Sequence, residues 1–141
     1  MKRLLVLMAA WVCLCACCAA ELSEADAGTY VILDRARNPI DMFFRLSRRG
    51  DQWVAEGKKP GGPWASISCD AGCEYRPSTP AEMERYFSAE QRARLDFACI
   101  QNMAQAFCRY VTKENPGKGG HVIVALVTGQ PVPVLVRRVP S

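Results

Sequence analysis

Hydrophobic and polar positions along the chain fall into two regimes, one with a short period and one with a longer one. "TYVILDR" (29–35) and "DMFFRLSRR" (41–49) are rich in β-branched and aromatic residues and predict two strands separated by a turn at Asn38-Pro39. "DQWVAEG" (51–57) predicts a third, joined to the second by a tight turn around Gly50. Pro60 and Pro63 make "KKPGGPW" a loop, after which "ASISC" reads as a short strand turning at Asp70-Ala71-Gly72. Near the C-terminal end, "HVIVALVT" (121–128) is almost continuously apolar, as expected for a strand covered on both faces or lying centrally. "PVPVLVRRV" (131–139) reads as an edge strand, because Pro131 and Pro133 cannot donate to a ladder.

Between these regions the period lengthens. Thr79-Pro80-Ala81-Glu82 forms a capping box with proline at the first helical position, and Ser88-Ala89-Glu90-Gln91 a weaker one. A short helix is predicted over 80–86 and a long one over 89–112, ended by "KENPGKGG". On the long helix Leu95, Cys99, Ile100, Met103, Ala104, Phe107 and Val111 share one arc, with Gln101, Asn102, Gln105 and Arg109 on the other side. The expected fold is α+β: a mainly antiparallel sheet of about five strands packed by one long amphipathic helix. Its order is β-β-β-(β)-α-α-β-β, and disulfides staple it.

The first residues change the setting. Met1, Lys2 and Arg3 precede an apolar run from Leu4 to Ala16, the layout of a secretory signal. The run is too short to span a bilayer, which takes roughly 20 residues. Leu14-Cys15-Ala16-Cys17 resembles a bacterial lipobox. That resemblance implies removal of residues 1–16 and lipid attachment to Cys17, followed by a tether over 17–27 and one domain over 28–141. The alternative is cleavage after Ala20, leaving a soluble protein that begins at Glu21. Cys13, Cys15, Cys17 and Cys18 do not read as a metal cluster, since they sit in an apolar segment with no polar groups to orient ligands.

Counted from Cys17, 125 residues suit one core. Without Lys2 and Arg3 there are 16 basic against 14 acidic side chains, a charge of +2, which argues against a nucleic-acid partner. The body retains Cys69, Cys73, Cys99 and Cys108, an even set that in an exported domain suggests two disulfides. Their spacings do not match common zinc sites. On an unbroken helix Cys99 and Cys108 would lie about 13.5 Å apart on opposite sides, beyond the roughly 7 Å a disulfide allows between Cα atoms. Either each therefore ties to Cys69 or Cys73, or Cys69 pairs with Cys73 through a turn at Asp-Ala-Gly and Cys99 and Cys108 stay free. An extended "CDAGC" spans about 13 Å, which favours the crossed arrangement.

The chemistry is thin. His121 is the only histidine and has no partner discernible in sequence. Asp96 falls near the centre of the apolar arc and is expected to be a buried carboxylate paired with an arginine such as Arg45 or Arg76, or one placed at the wet N-terminal end of the arc. "GKGG" (117–120) lacks phosphate-loop spacing, and Arg49-Gly50-Asp51 reads as an ordinary hairpin turn. No catalytic residues, metal or cofactor are signalled. Trp53, Trp64, Tyr75 and Arg76 are candidate residues of a protein interface, the alternative being that they cover the sheet and helix ends, and "PVPVLVRR" is a second candidate surface if it is an exposed edge.

The layout is similar to small envelope lipoproteins that bind another protein, some as inhibitors and some as immunity proteins. The expectation is a non-enzymatic protein-binding module held by lipid in the bacterial envelope, facing the periplasm. The rival is a small-ligand or assembly lipoprotein with a cavity lined by Phe107, Met103 and Trp53; a hydrolase using Asp96 or His121 is a third option.

Overall fold

The computed structural model describes residues 21–67 and 73–141. The predicted signal, Cys17, Cys18, Cys69 and the Asp70-Ala71-Gly72 turn lie outside them. Ser23 caps a single 3-10 turn over Glu24–Asp26, and its hydroxyl and the Asp26 carboxylate cap each other's backbone reciprocally. Four strands follow: β1 (Gly28–Leu33), β2 (Pro39–Arg49), β3 (Gln52–Lys58) and β4 (Trp64–Ser66). Next come β5 (Arg76–Pro77), the helices α1 (Pro80–Tyr86) and α2 (Ala89–Arg94), and β6 (Leu95–Gln101). β7 (Gln105–Thr112), β8 (Gly119–Ala125) and β9 (Val132–Arg138) complete the chain.

All nine strands form one antiparallel sheet, in the order β4-β3-β2-β1-β9-β8-β7-β6-β5. Two meanders, β1–β4 and β5–β9, are joined where the first strand pairs with the last, Tyr30 opposite Arg138 and Ile32 opposite Val136. The sheet curls into a half-barrel. Curling lets it bury its own concave face: Tyr30, Phe44, Leu46, Phe107, Ile123 and Val136 meet there, with Tyr30 and Phe107 fully buried. Phe107 stacks on Phe44 at 5.6 Å and meets Tyr30 edge-on at 5.1 Å. The short helices lie on the convex side. Phe87, which links them, stacks on Phe97 of β6 at 3.7 Å, and Met83 and Tyr86 pack in the same cluster.

The α+β expectation is therefore wrong in its main element. No long helix occupies 89–112, and the sheet has nine strands rather than about five. Only α1 and the first turns of the second predicted helix form, with the capping boxes at Thr79 and Ser88 in place. Two strands replace the rest. The misleading pattern has a physical origin: β6 and β7 are covered on both faces, so their residues do not alternate between apolar and polar. Ala98, Ile100 and Phe107 face the concave core, while Cys99, Ala106 and Cys108 face the helices. Seen without the pleat, two buried faces resemble one wide helical arc. Asn102 breaks the run, its Oδ1 accepting from the amides of Ala104 (2.9 Å) and Gln105 (3.0 Å) to close a hairpin.

That hairpin also settles the disulfide. Cys99 and Cys108 face each other across β6 and β7 with Cα atoms 4.1 Å apart, and they are bonded to each other. This pairing excludes the crossed arrangement, which assumed a helix. Cys73 is disulfide-bonded as well, and with Cys99 and Cys108 paired its bond goes elsewhere.

Two further expectations are corrected. β9 is not an edge strand but lies between β1 and β8, with Pro131 just before it and Pro133 at its second position. Asp96 is exposed on β6, 3.9 Å from Lys113 Nζ, and is neither buried nor paired with Arg45 or Arg76.

Candidate functional site

Residues 21–27, which composition placed in a tether, pack against the concave end of the half-barrel. Leu22 joins the core, and Asp26 is 2% exposed. A buried carboxylate needs several partners to offset lost hydration. Asp26 has them: Oδ2 accepts from Arg109 (2.6 Å) and from the Ser23 amide (2.8 Å), and Oδ1 lies 2.9 Å from His121 Nε2. Arg109 and His121 are opposite one another on β7 and β8, so the sheet register presents both to one carboxylate. Tyr30 donates to the Asp26 carbonyl (2.6 Å), while Arg138 binds the carbonyls of Ala25 (2.5 Å) and Ala27 (2.6 Å). Arg109 also reaches the Glu21 carbonyl at 3.0 Å. Together these bonds latch the segment down.

Burial depresses the His121 pKa below its ordinary value, with Asp26 opposing the shift and Arg138 and Arg109 assisting it. Burial likewise pushes the Tyr30 hydroxyl up to about 12. The imidazole packs against the Tyr30 ring (5.0 Å) and the Phe107 ring (5.4 Å). A neutral imidazole donating from Nε2 to a carboxylate resembles half of a catalytic relay, but the groups around it are aromatic rings and arginines, and its bonds hold backbone in place. Sequence reasoning missed Asp26 altogether. The signal present was the Ser23-x-x-Asp26 spacing of a capped turn; the partners, 83 and 95 residues away, left none.

The four interface candidates divide between two places. Trp53 projects from β3 on the concave side beneath the Arg48 guanidinium, 5.2 Å from its ring, and Tyr75 packs against the same core. Gln105 donates to the Tyr75 hydroxyl at 2.6 Å, and burial raises that hydroxyl's pKa. Arg76 is exposed and forms a two-pronged pair with Glu82, at 2.6 and 3.0 Å, holding the Glu82 carboxyl down at about pKa 2. Trp53, Tyr75 and Arg76, with Met83, border a groove of about 740 Å³ that opens beside Glu21 and Leu22.

Trp64 sits elsewhere. Register places it on the convex face of β2–β4, opposite Lys58 and two strands from Arg45. The Arg45 guanidinium lies 4.2 Å over the Trp64 ring while Glu56 grips it at 2.8–2.9 Å. Tryptophan, arginine and glutamate thus form one triplet on this face.

Other candidates resolve plainly. Phe107 is buried in the core whereas Met103 is 66% exposed at the β6–β7 turn, so with Trp53 they do not line one cavity. Arg49-Gly50-Asp51 is the β2–β3 turn, with Gly50 at φ 60°. Gly119 and Gly120 of "GKGG" begin β8, where a side chain on either would collide with Tyr110. Among the described residues no three His, Cys, Asp or Glu side chains gather as metal ligands, and no helix is long and apolar enough to cross a membrane. Comparison with protein families, characterised proteins and solved structures gives no match to this chain.

Proposed function

We propose that the chain is a small exported lipoprotein of the bacterial envelope that acts as a non-enzymatic protein-binding module, in the manner of an inhibitor or immunity protein. The address rests on the Leu14–Cys17 motif behind a basic, apolar N-terminus. The binding role is supported above all by the Arg45–Trp64–Glu56 triplet. Tryptophan and arginine dominate the energetics of protein interfaces, and side chains already held in place lose less entropy on binding. The β2–β3 and β3–β4 ladders give this surface a rigid base.

The test is a photo-crosslinking amino acid in place of Trp64, set against one at exposed Val127, in cells that export the chain. A discrete protein adduct from position 64, lost in Arg45→Ala, supports the proposal. Matching adduct patterns from both positions count against it.

A further inference from the structure

Trp53, Tyr75 and Arg76 line a groove that reaches Glu21, the first described residue. Glu21 and Leu22 border the same groove. The latch removes all slack there: Arg109 holds the Glu21 carbonyl and Leu22 is in the core. Only four peptide links separate Cys17 from Glu21, at most about 14 Å of chain at 3.3–3.6 Å per residue. A domain anchored at Cys17 therefore cannot swing freely. Glu21 itself is held within about 14 Å of the lipid attachment point, and the groove it borders is carried with it.

We infer that the groove rim is a membrane-contact surface: the domain rests on the phospholipid headgroup layer with Trp53 and Arg48 against it, leaving Trp64 away from the bilayer. The inference rests on the lipid-anchor reading and names the surface that the anchored domain meets first. The chemistry of the rim fits. Tryptophan, apolar with one polar handle, is a side chain that favours the membrane interface. Arg48 covers the Trp53 ring and can extend its guanidinium to phosphate. Asp51 and Glu21 balance much of the positive charge, so the contact depends on aromatic burial more than on anionic lipid. Trp64 lies on the other face of the sheet, which keeps the proposed partner surface free.

The test uses the mature lipidated chain in vesicles of phosphatidylcholine and phosphatidylglycerol, with and without lipids spin-labelled in the headgroup region. Trp64→Phe leaves Trp53 as the reporter among the described residues, and Trp53→Phe leaves Trp64. Trp53 emission should be quenched about twofold or more beyond that of Trp64, as for a residue at the interface. Hydrogen exchange on the unmutated chain provides a second reading. Vesicles should slow exchange in residues 48–53 and leave 64–66 unchanged. Equal quenching of the two tryptophans, or slowing confined to 64–66, overturns the inference. The intact mass of the mature chain separates the two ideas. No acyl mass at Cys17 removes the anchor and the inference with it, whereas acylation with equal quenching overturns the orientation alone.

Discussion

His121 Nε2 lies 2.9 Å from the carboxylate of Asp26, a residue 95 positions earlier, and Arg109 closes on the other oxygen of that carboxylate at 2.6 Å. One buried acid thus joins the N-terminal segment to two central strands. Breaking a buried pair by removing one partner is costly because the remaining charge stays desolvated. Asp26→Ala should destabilise the domain by about 3 kcal/mol, the lower end of the range for buried pairs because Arg109 keeps partial contact with water. Glu24→Gln, on the same turn but exposed, should stay within about 0.5 kcal/mol of the parent. Urea unfolding of both variants checks the contrast.

The latch should also respond to pH. Burial lowers the folded-state pKa of His121, so below about 6.5 the unfolded chain binds more protons than the folded one. The stabilising contribution of neutral His121 is complete above that value and is lost as pH falls through the lower, folded pKa. Melting temperature should decline on this account as pH falls from 7 toward 5, and His121→Gln should flatten that part of the curve. Glu82 acts later: held at about 2 by Arg76 and Thr79, it loses its contribution only as pH falls below the ordinary carboxylate range.

The disulfide offers a covalent check on the strands. Peptide mapping without reduction should recover Cys99 linked to Cys108. Replacing both by serine should cost roughly 2–3 kcal/mol, the chain-entropy value for a loop of about nine residues. A link from either cysteine to Cys69 or Cys73 would contradict the β6–β7 hairpin.

At the start of β8 the limit is steric. A Cβ at Gly119 would run into the Tyr110 carbonyl oxygen, which is backbone and cannot swing aside. Gly119→Ala should destabilise by about 1–3 kcal/mol, the cost of overpacking. Gly62→Ala, where a Cβ meets only ordinary contacts, should be close to neutral. Thermal melts of the two alanine variants distinguish a packing requirement from simple loop flexibility.

How much of this was legible depended on whether the cause was local. Strands at 28–33, 39–49 and 52–58 follow from β-branched and aromatic runs between turn residues, and α1 from a complete capping box. The error at 95–112 came from reading a two-sided strand pair as a helix, although Phe97, Ile100, Phe107, Tyr110 and Val111 all favour strands. Once that hairpin was taken for a helix, the cysteine geometry followed it into error, because Cys99 and Cys108 can meet only across a ladder. Tertiary context decided the remainder. Nothing near Asp26 indicates that β7 and β8 will bring Arg109 and His121 to it, and nothing near Trp53 and Trp64 separates them onto opposite faces except the strand register.

The central claim is that residues 21–27 belong to the folded domain and hold its N-terminus in a fixed position. Amide hydrogen exchange at Ser23, Asp26 and Ala27 tests this most directly, since all three amides are bonded within the latch. In the parent chain these amides should exchange far more slowly than an unstructured peptide, and in Asp26→Ala they should become fast while the β7–β8 amides remain protected. Unprotected exchange at these three positions in the parent chain would contradict the latch and, with it, the restricted placement of the domain.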